Sequence, residues 1–440
     1  MRFDATSRLR RFLAAETGAI TPMALFFTVL FIAAGGLAVD IAQHVAARTH
    51  LQIATDSAAH AALVSRRRHS EAGARRIALD LLEDNMPARR FGVAVEPHDI
   101  VFGRWTSNGF EPDPGSRAAV RVVARRTEAR QNPMRTFMLR VIGIDSLDIV
   151  TASAFTTYQP ICIDEGFVAE GRVDVQSNNN YLRGFCIHSN DYVRINQNNY
   201  FEEGTIVSMP DLDLLQIPNS GFERNEGLEM ALREGWVDIR ILRELDDVIH
   251  GVLNNHGEYA RSYISNPSPI VRNFSQNNNQ VRANDLVSGR IHDISCVGQN
   301  QRISIPNGEV LSDVVIVTNC QVDLGGSVQL DNVVIASTNT TDTAISGASG
   351  VNIGRDDNCA PGGGAQIVTL GSMRFPANLG IFGSQLIAQG DVEFAARSDG
   401  VQGASIIAGG VIDGTSNSTM ARCNRGMEDN FRSPYYRMAQ

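Results

Sequence analysis

The stretch VDVQSNNNYLRGFCIHSNDYVRINQNNYFEEGTIVS, residues 173–208, repeats itself at an offset of 20. VDVQSNNN from Val173 returns as VRINQNNY from Val193, and GFCIH from Gly184 returns as GTIVS from Gly204. Short apolar runs parted by Gly, Asn and Asp at this period mark a unit that buries its apolar side only by stacking on the next copy. Two later pairs behave alike: DVVIVTN from Asp313 with NVVIAST from Asn332 at 19, and GSQLIAQG from Gly383 with GASIIAGG from Gly403 at 20. The spacing predicts a mainly β chain whose body is a right-handed parallel β-helix-like solenoid. Inward Val, Ile and Leu would stack from turn to turn, and Asn amides would stack at the corners. Ordinary antiparallel β-structure with coincidental repetition is the competing reading.

The repeat breaks once. Leu228, Leu232, Trp236, Ile239, Leu242, Leu245 and Ile249 recur at spacings of three and four, which predicts one or two helices inserted in the solenoid or capping it. A cap would cover an otherwise open edge strand.

A different pattern opens the chain. In AITPMALFFTVLFIAAGGLAVDIAQHVAARTHLQIATDSAAHAAL, residues 19–63, the first half is apolar and the second polar, with no helix breaker between them. No charged residue occurs among the 23 positions from 17 to 39. At about 1.5 Å per residue, that run matches the ~30 Å core of a bilayer. Ala19, Leu25, Phe26, Phe27, Leu30, Phe31, Gly35, Gly36 and Leu37 are the expected anchor residues. Arg2, Arg8, Arg10 and Arg11 precede them, so the positive-inside tendency predicts a cytoplasmic N-terminus and an exported body in a single-pass inner-membrane protein.

A cleaved signal peptide is the rival reading. The run is long for one, and AVDIAQHVAAR continues as helix where a cleavable loop would stand. A type IV prepilin signal does not fit, because Met23 stands five residues after Gly18 where a Glu is required. In the polar half, Ala46, Ala54, Ala58, Ala61 and Ala62 with Leu51 and Leu63 form a small-residue seam suited to close helix packing, within the chain or between copies. His44, His50 and His60 lack metal spacing and are expected to face solvent.

The Arg cluster, ETGAITPMALFF, and GGLAVDIAQHVAARTHLQIATDSAAHAAL together resemble the N-terminus of the TadE/TadG-like Flp pilus-assembly proteins of the Tad (tight adherence) system. VFGRWTSNGFEPDPGSRAAVRVVARR and the segment to Tyr158 are similar to the same group, which extends the resemblance over roughly residues 8–160. The resemblance implies a membrane-anchored, envelope-facing part of a pilus-assembly or secretion system, with no chemistry to transfer. It also favours a Cys162–Cys186 bridge, through the similarity of CIHSN to a recurring arrangement in that group. Some of its members carry a von Willebrand A-type domain, but the Asp-x-Ser-x-Ser metal motif of that domain is missing here.

Between the anchor and the solenoid, RRRHSEAGARRIALDLLEDNMP reads as an amphipathic helix ending before Pro87. FGVAV, DIVFGRW, AAVRVVARR and LDIVTASAF read as strands, with Asn108-Gly109 as a hairpin signal. The expected organisation is a cytoplasmic N-terminus (1–16), a transmembrane anchor (17–40), a helix with a small sheet (41–160), first solenoid turns (161–224), a helical insertion (225–265), and the main solenoid with its tail (266–440).

A net charge of −9, with 39 basic residues that are all Arg, speaks against a nucleic-acid partner. The expected partners are the membrane and other pilus-assembly proteins, or self-association through the N-terminal helix. Cys162, Cys186, Cys296, Cys320, Cys359 and Cys423 are even in number and show no zinc spacing. All six are disulfide candidates, and of their fifteen possible connectivities the reading taken is the sequential one, Cys162–Cys186, Cys296–Cys320 and Cys359–Cys423.

No GxSxG, HExxH or P-loop is present. Asp356-Asp357 is a carboxylate pair without the Gly-His-Gly companion of pectin-cleaving β-helix enzymes, and Ser405 has no partner His nearby in sequence. The expected function is therefore a non-enzymatic assembly component without cofactor or metal. The alternative is a membrane-tethered β-helix that binds or cleaves polysaccharide.

Overall fold

The computed structural model describes residues 20–218, 221–276 and 279–439. Ala19 and the segment 1–16, with Arg2, Arg8, Arg10 and Arg11, lie outside the described residues. The chain forms two compact units, Met1–Tyr158 with Tyr435–Gln440, and Gln159–Pro434.

In the first unit, α1 (Ile20–Arg66) is one continuous helix of 47 residues. Its two halves bury different things. Leu25, Phe26, Phe27, Leu30, Phe31 and Leu37 are exposed, Phe31 by 71%. From Leu51 onward, Leu51, Ala54, Thr55, Ala58, Ala59, Ala62 and Leu63 are fully buried. These positions recur at three and four, so they form a single stripe on the helix, and mostly alanine side chains allow close approach. The stripe differs from the expected seam at two places. Ala46 is exposed and Ala61 half-buried, because helical rotation brings Thr55 and Ala59 to the inner face instead. His44 is half-buried, whereas His50 and His60 are exposed at the edges of the Phe91 and Phe155 rings.

The helix α2 (Glu71–Asn85) starts at Ser70, whose hydroxyl accepts the Gly73 N–H at 3.2 Å. That bond satisfies one of the free donors of the first turn. Ala74, Ala78 and Leu82 bury the same face of α2. Both helices pack on an antiparallel sheet built from β1 (Ile100–Thr106), β2 (Gly109–Pro112), β3 (Ala119–Arg126) and β4 (Ile149–Tyr158), ordered β2-β1-β3-β4. Val120, Val122 and Ala124 of β3 point into the core with Ile100 and Phe102, while Arg121 points out, the alternation of a sheet covered on one face. FGVAV, expected as a strand, is not one. Its Ala94 and Val95 are buried, and Ala94 gives its carbonyl to the Arg125 N–H outside any ladder. The strand Tyr435–Met438 pairs with β4, Tyr435 opposite Tyr158. Gln159–Pro434 is thus an insertion between two neighbouring strands of the small sheet.

The second unit is dominated by one large parallel sheet of 23 strands. The repeated segments are direct hydrogen-bonded neighbours in it: Val173 lies opposite Val193, Cys186 opposite Ile206, Val314 opposite Val333, and Ser384 opposite Ala404. Strands align in columns, with Val173–Val175 beside Val193–Ile195, and Asn180–Leu182 beside Asn199–Phe201. One continuous apolar core runs through the columns, from Phe167, Ile187 and Val207 to Ile316, Ile335, Leu386 and Ile406.

Amide side chains continue the ladder at the bends. The Asn199 carboxamide oxygen accepts the Asn179 N–H at 2.9 Å, and that of Asn225 accepts the Asn199 N–H at 3.2 Å. Asn178, Asn198 and Asn417 all adopt left-handed backbone, with φ of 62°, 61° and 55°. Asn tolerates that region better than most residues, and the Asn198 amide donates to the Asn178 oxygen at 3.2 Å.

The order of strands in the ladder is not their order in the chain. Gly166–Ala169 pairs on one side with Cys186–Ser189 and on the other with Ser405–Ala408. The last strands of the ladder in sequence therefore pair with its first. The outer edges are Leu232–Glu234 and Asn266–Phe274. The former is very short, and the latter carries Pro267 and Pro269; both properties discourage pairing with another chain.

Residues between these edges carry the chain from one end of the ladder to the other. Here the helices are Arg240–Arg243 and α3 (Leu245–Leu253), and the short helix Leu228–Ala231 stands just before the first edge. Leu232 belongs to a strand, and Trp236 is 65% exposed outside any helix, so the expected helical stripe is interrupted. α3 lies against Val310–Thr318, Gln329–Ser337 and Ala365–Thr369, burying Leu245, Val248, Ile249 and Val252. It is a strap along the flank of the sheet and not a cap on its end.

Candidate functional site: the apolar helix and its clamp

Among 18-residue windows of α1, mean hydropathy reaches 2.2, enough in length and composition to cross a membrane. Directly after the uncharged run stands Asp40, and it is fully buried. Its carboxylate accepts three successive backbone N–H groups, from Phe137 at 2.6 Å, Met138 at 2.7 Å and Leu139 at 2.6 Å. These donors belong to the loop between the two-residue strands Met134–Arg135 and Ser146–Leu147, which contains a 3-10 turn at Leu139–Ile142. One turn lower, a Cβ at Gly36 would overlap the Met138 side chain, so glycine is what lets the loop lie on the helix there. Gly35 meets nothing. Of the expected anchor residues, the described ones share this half of α1, and Gly36 lies against the loop. The Asp40 clamp was not anticipated. Its signal in sequence was an acidic residue closing an apolar run, with an apolar loop, RTFMLRVIGID, in the same unit.

Just beyond Asp40, α1 borders a cleft of about 690 Å3 lined by Gln43, Ala47, His50, Arg90, Arg126 and Arg135, among others. Arg90 and Arg126 hold their guanidinium carbons 5.1 and 5.5 Å from the centre of the Phe91 ring. Burial pushes the Arg126 guanidinium below its ordinary pKa.

Glu96, His98 and Asp99 bring oxygen and nitrogen atoms near one another. The Asp99 carboxylate is already engaged by Arg125, by Arg130 at 2.6 Å and by the Glu96 N–H at 2.8 Å. Burial would raise this carboxyl, but the Glu96 N–H and Arg130 outweigh it and hold it below the usual carboxylate range. Two guanidiniums on one carboxylate describe an ion-pair network and do not suit a cation.

In the second unit, all six cysteines are bridged: Cys162 to Cys186, Cys296 to Cys320, and Cys359 to Cys423, with Cα separations of 5.0, 5.3 and 5.9 Å. Asp356 pairs with Arg397 at 3.0 Å, and Asp357 accepts the Ala360 N–H at 2.9 Å beside Cys359. Ser405 is buried and donates to the Ile163 carbonyl at 2.9 Å.

Among the described residues, Ser208, His188 and Asn190 form a hydroxyl–imidazole–amide constellation. His188 Nδ1 lies 2.7 Å from the Ser208 hydroxyl and Nε2 lies 2.8 Å from Asn190 Oδ1. Asn190 Oδ1 can only accept, so Nε2 carries the proton and Ser208 donates to Nδ1. Asn190 in turn holds Glu170 and both backbone groups of Val237. With His188 fully buried, the network fastens the start of the crossing segment to the sheet.

Burial pushes the His188 imidazole below its ordinary pKa, against the opposing pull of Asn190 and Glu170. A neutral buried His stabilises the fold fully above the unfolded value of about 6.5, and that contribution drains away as pH falls below it. Between about pH 7.5 and pH 5.5, the wild-type protein is expected to lose more thermal stability than His188→Gln, by up to about 1.4 kcal/mol per pH unit inside the window. Parallel melting curves for the two proteins would refute the assignment; His292, which burial also pushes down, is common to both.

Two family matches fall one in each unit of the structure. Residues 18–74, the apolar helix through the first turn of α2, match the Tad family of TadE/G-like Flp pilus-assembly proteins. The resemblance drawn from sequence to about residue 160 is thereby narrowed to this stretch. Residues 166–424 match a domain of unknown function, DUF7867. That interval begins at the first ladder strand and ends just after the last, at the Cys423 bridge. No curated protein and no solved structure matches the chain. Since the second match covers more than half of the 440 residues, the chain belongs to the DUF7867 family, joined here to a TadE/G-like N-terminal helix.

Proposed function

We propose that the protein is a single-pass inner-membrane component of a Tad-type Flp pilus or envelope adhesion system, structural and not enzymatic. The observation that carries this reading is the unbroken α1, matched along its whole length to the Tad family, exposed and apolar in its first half and buried by a folded sheet in its second. Arg2, Arg8, Arg10 and Arg11 favour a cytoplasmic N-terminus, and three disulfides favour a periplasmic body. The parallel ladder, with columns of strands at a repeat of 19–20 and amide stacks at the bends, supports a right-handed β-helix-like solenoid that presents a rigid surface to other assembly proteins or to another copy.

Deleting the gene is expected to abolish surface pili and adherence, and the purified protein is expected to leave glycans unbound and uncut. Normal piliation of the deletion strain would refute the assembly role. Glycan cleavage lost on substitution of Asp356 and Asp357 would replace it with the polysaccharide reading.

A further inference from the structure

The loop held by Asp40 exposes an apolar tip. Phe137 is 71% exposed, Val141 78%, Ile142 71% and Ile144 40%, outside the core of the unit. We propose that this loop, residues 136–144, is a second membrane contact that dips into the lipid interface beside the helix. The inference rests on the single-pass reading and extends it from one span to a span with an interfacial foot.

Three observations carry it. The first is continuity. The loop touches α1 at Gly36 and Asp40, which lie about 6 Å apart along the axis. Gly36 is inside the uncharged run, so Met138 reaches below the level at which the run ends. The exposed loop side chains therefore adjoin the exposed apolar half of α1.

The second is backbone chemistry. Near hydrocarbon, an N–H without a partner costs several kcal/mol, so irregular chain enters only when its donors are satisfied. Here Asp40 takes the N–H groups of Phe137, Met138 and Leu139. Val141, Gly143 and Ile144 donate to Met138, Arg140 and Leu139, and Thr136 donates to Asp145. Arg140 meets Asp145 at 3.3 Å, with a stem long enough to carry its charge to the headgroups.

The third is layering. The Arg-lined cleft borders α1 from Gln43 to His50, about 5–15 Å beyond Asp40 along the helix. Above a core that ends near Asp40 the headgroup layer is about 5–8 Å thick, so the Gln43 end of the cleft falls within it, and the cleft's Arg90, Arg126 and Arg135 suit anionic phosphates at that surface.

The bridges leave no free thiol among the described residues, so one introduced cysteine can carry an environment-sensitive nitrobenzoxadiazole dye. The full chain would be labelled singly at Val141→Cys, Leu30→Cys or Ser107→Cys and reconstituted in phosphatidylethanolamine–phosphatidylglycerol vesicles. Leu30 reports the span. Ser107 lies in the β1–β2 turn, at the end of the sheet away from Asp40, and reports water. The expected result is a blue-shifted Val141 label that loses intensity to lipid spin-labelled near the headgroup, with Ser107 unaffected and Leu30 quenched by chain-end spin labels. A Val141 label that behaves like Ser107 while Leu30 is quenched would overturn the foot and leave the span. An unquenched Leu30 would overturn both. A blue-shifted Val141 that no spin-labelled lipid reaches would put protein over the loop and also overturn the proposal.

Discussion

Replacing Cys359 and Cys423 together by serine is expected to destabilise the second unit by about 4 kcal/mol, the chain-entropy value for a loop of this length. The two residues are 64 apart in sequence, against 24 for each of the other bridges. Cutting the bridge removes the covalent tie on the tail after the last ladder strand and leaves it to non-covalent ties such as the Glu165 carboxylate, which accepts the N–H groups of Cys423 and Asn424. Denaturant unfolding of the purified protein would read the effect at Trp236, which belongs to the second unit, while Trp105 reports the first. A loss below about 1 kcal/mol would mean that hydrogen bonds and packing alone retain the tail, and that the entropic account fails here.

Asn179→Ala is expected to cost about 3 kcal/mol, more than its small change in volume suggests. Asn179 is fully buried. Its amide donates to the carbonyls of Gln176 at 3.0 Å and Thr415 at 2.8 Å, and its oxygen accepts the Ser418 N–H at 3.0 Å. Alanine leaves these backbone groups buried without partners, and each such group costs about 1–3 kcal/mol. Two of them, Thr415 and Ser418, belong to the last turn of the chain. The substitution should therefore loosen the seam between first and last turns before it affects the rest, and hydrogen exchange at residues 412–421 would rise ahead of exchange at 310–337. Uniform exchange across both segments would refute the local role of the amide.

The parallel ladder was legible because its signal is local and repeated. Val173 and Val193, or Asp313 and Asn332, look alike because stacked copies share one environment, and the offset of 19–20 is the length of chain between hydrogen-bonded neighbours. The long helix was legible because a run without charge needs no tertiary context to be recognised. Long-range order was not. Nothing in GFVAE at 166–170 says that it pairs with SIIAG at 405–409, since any apolar strand of that length would match. Asp40 was seen as part of a motif, but its partners are main-chain donors about 100 residues away, and backbone groups leave no residue-type signature. FGVAV failed as a strand for a related reason: its alternation matches a half-buried extended segment, and only the neighbouring chain decides whether a ladder forms.

The pairing of Gly166–Ala169 with Ser405–Ala408 bears on the order in which the molecule can be built. A ribosome delivers residue 166 long before residue 405, so the earliest-made strands wait with one side bare while more than two hundred residues are still being synthesised. Bare strand edges are the surfaces on which chains aggregate. A nascent chain stopped before residue 392 would keep that edge permanently open, which makes completion of the final turn the step at which this protein becomes safe from its own copies.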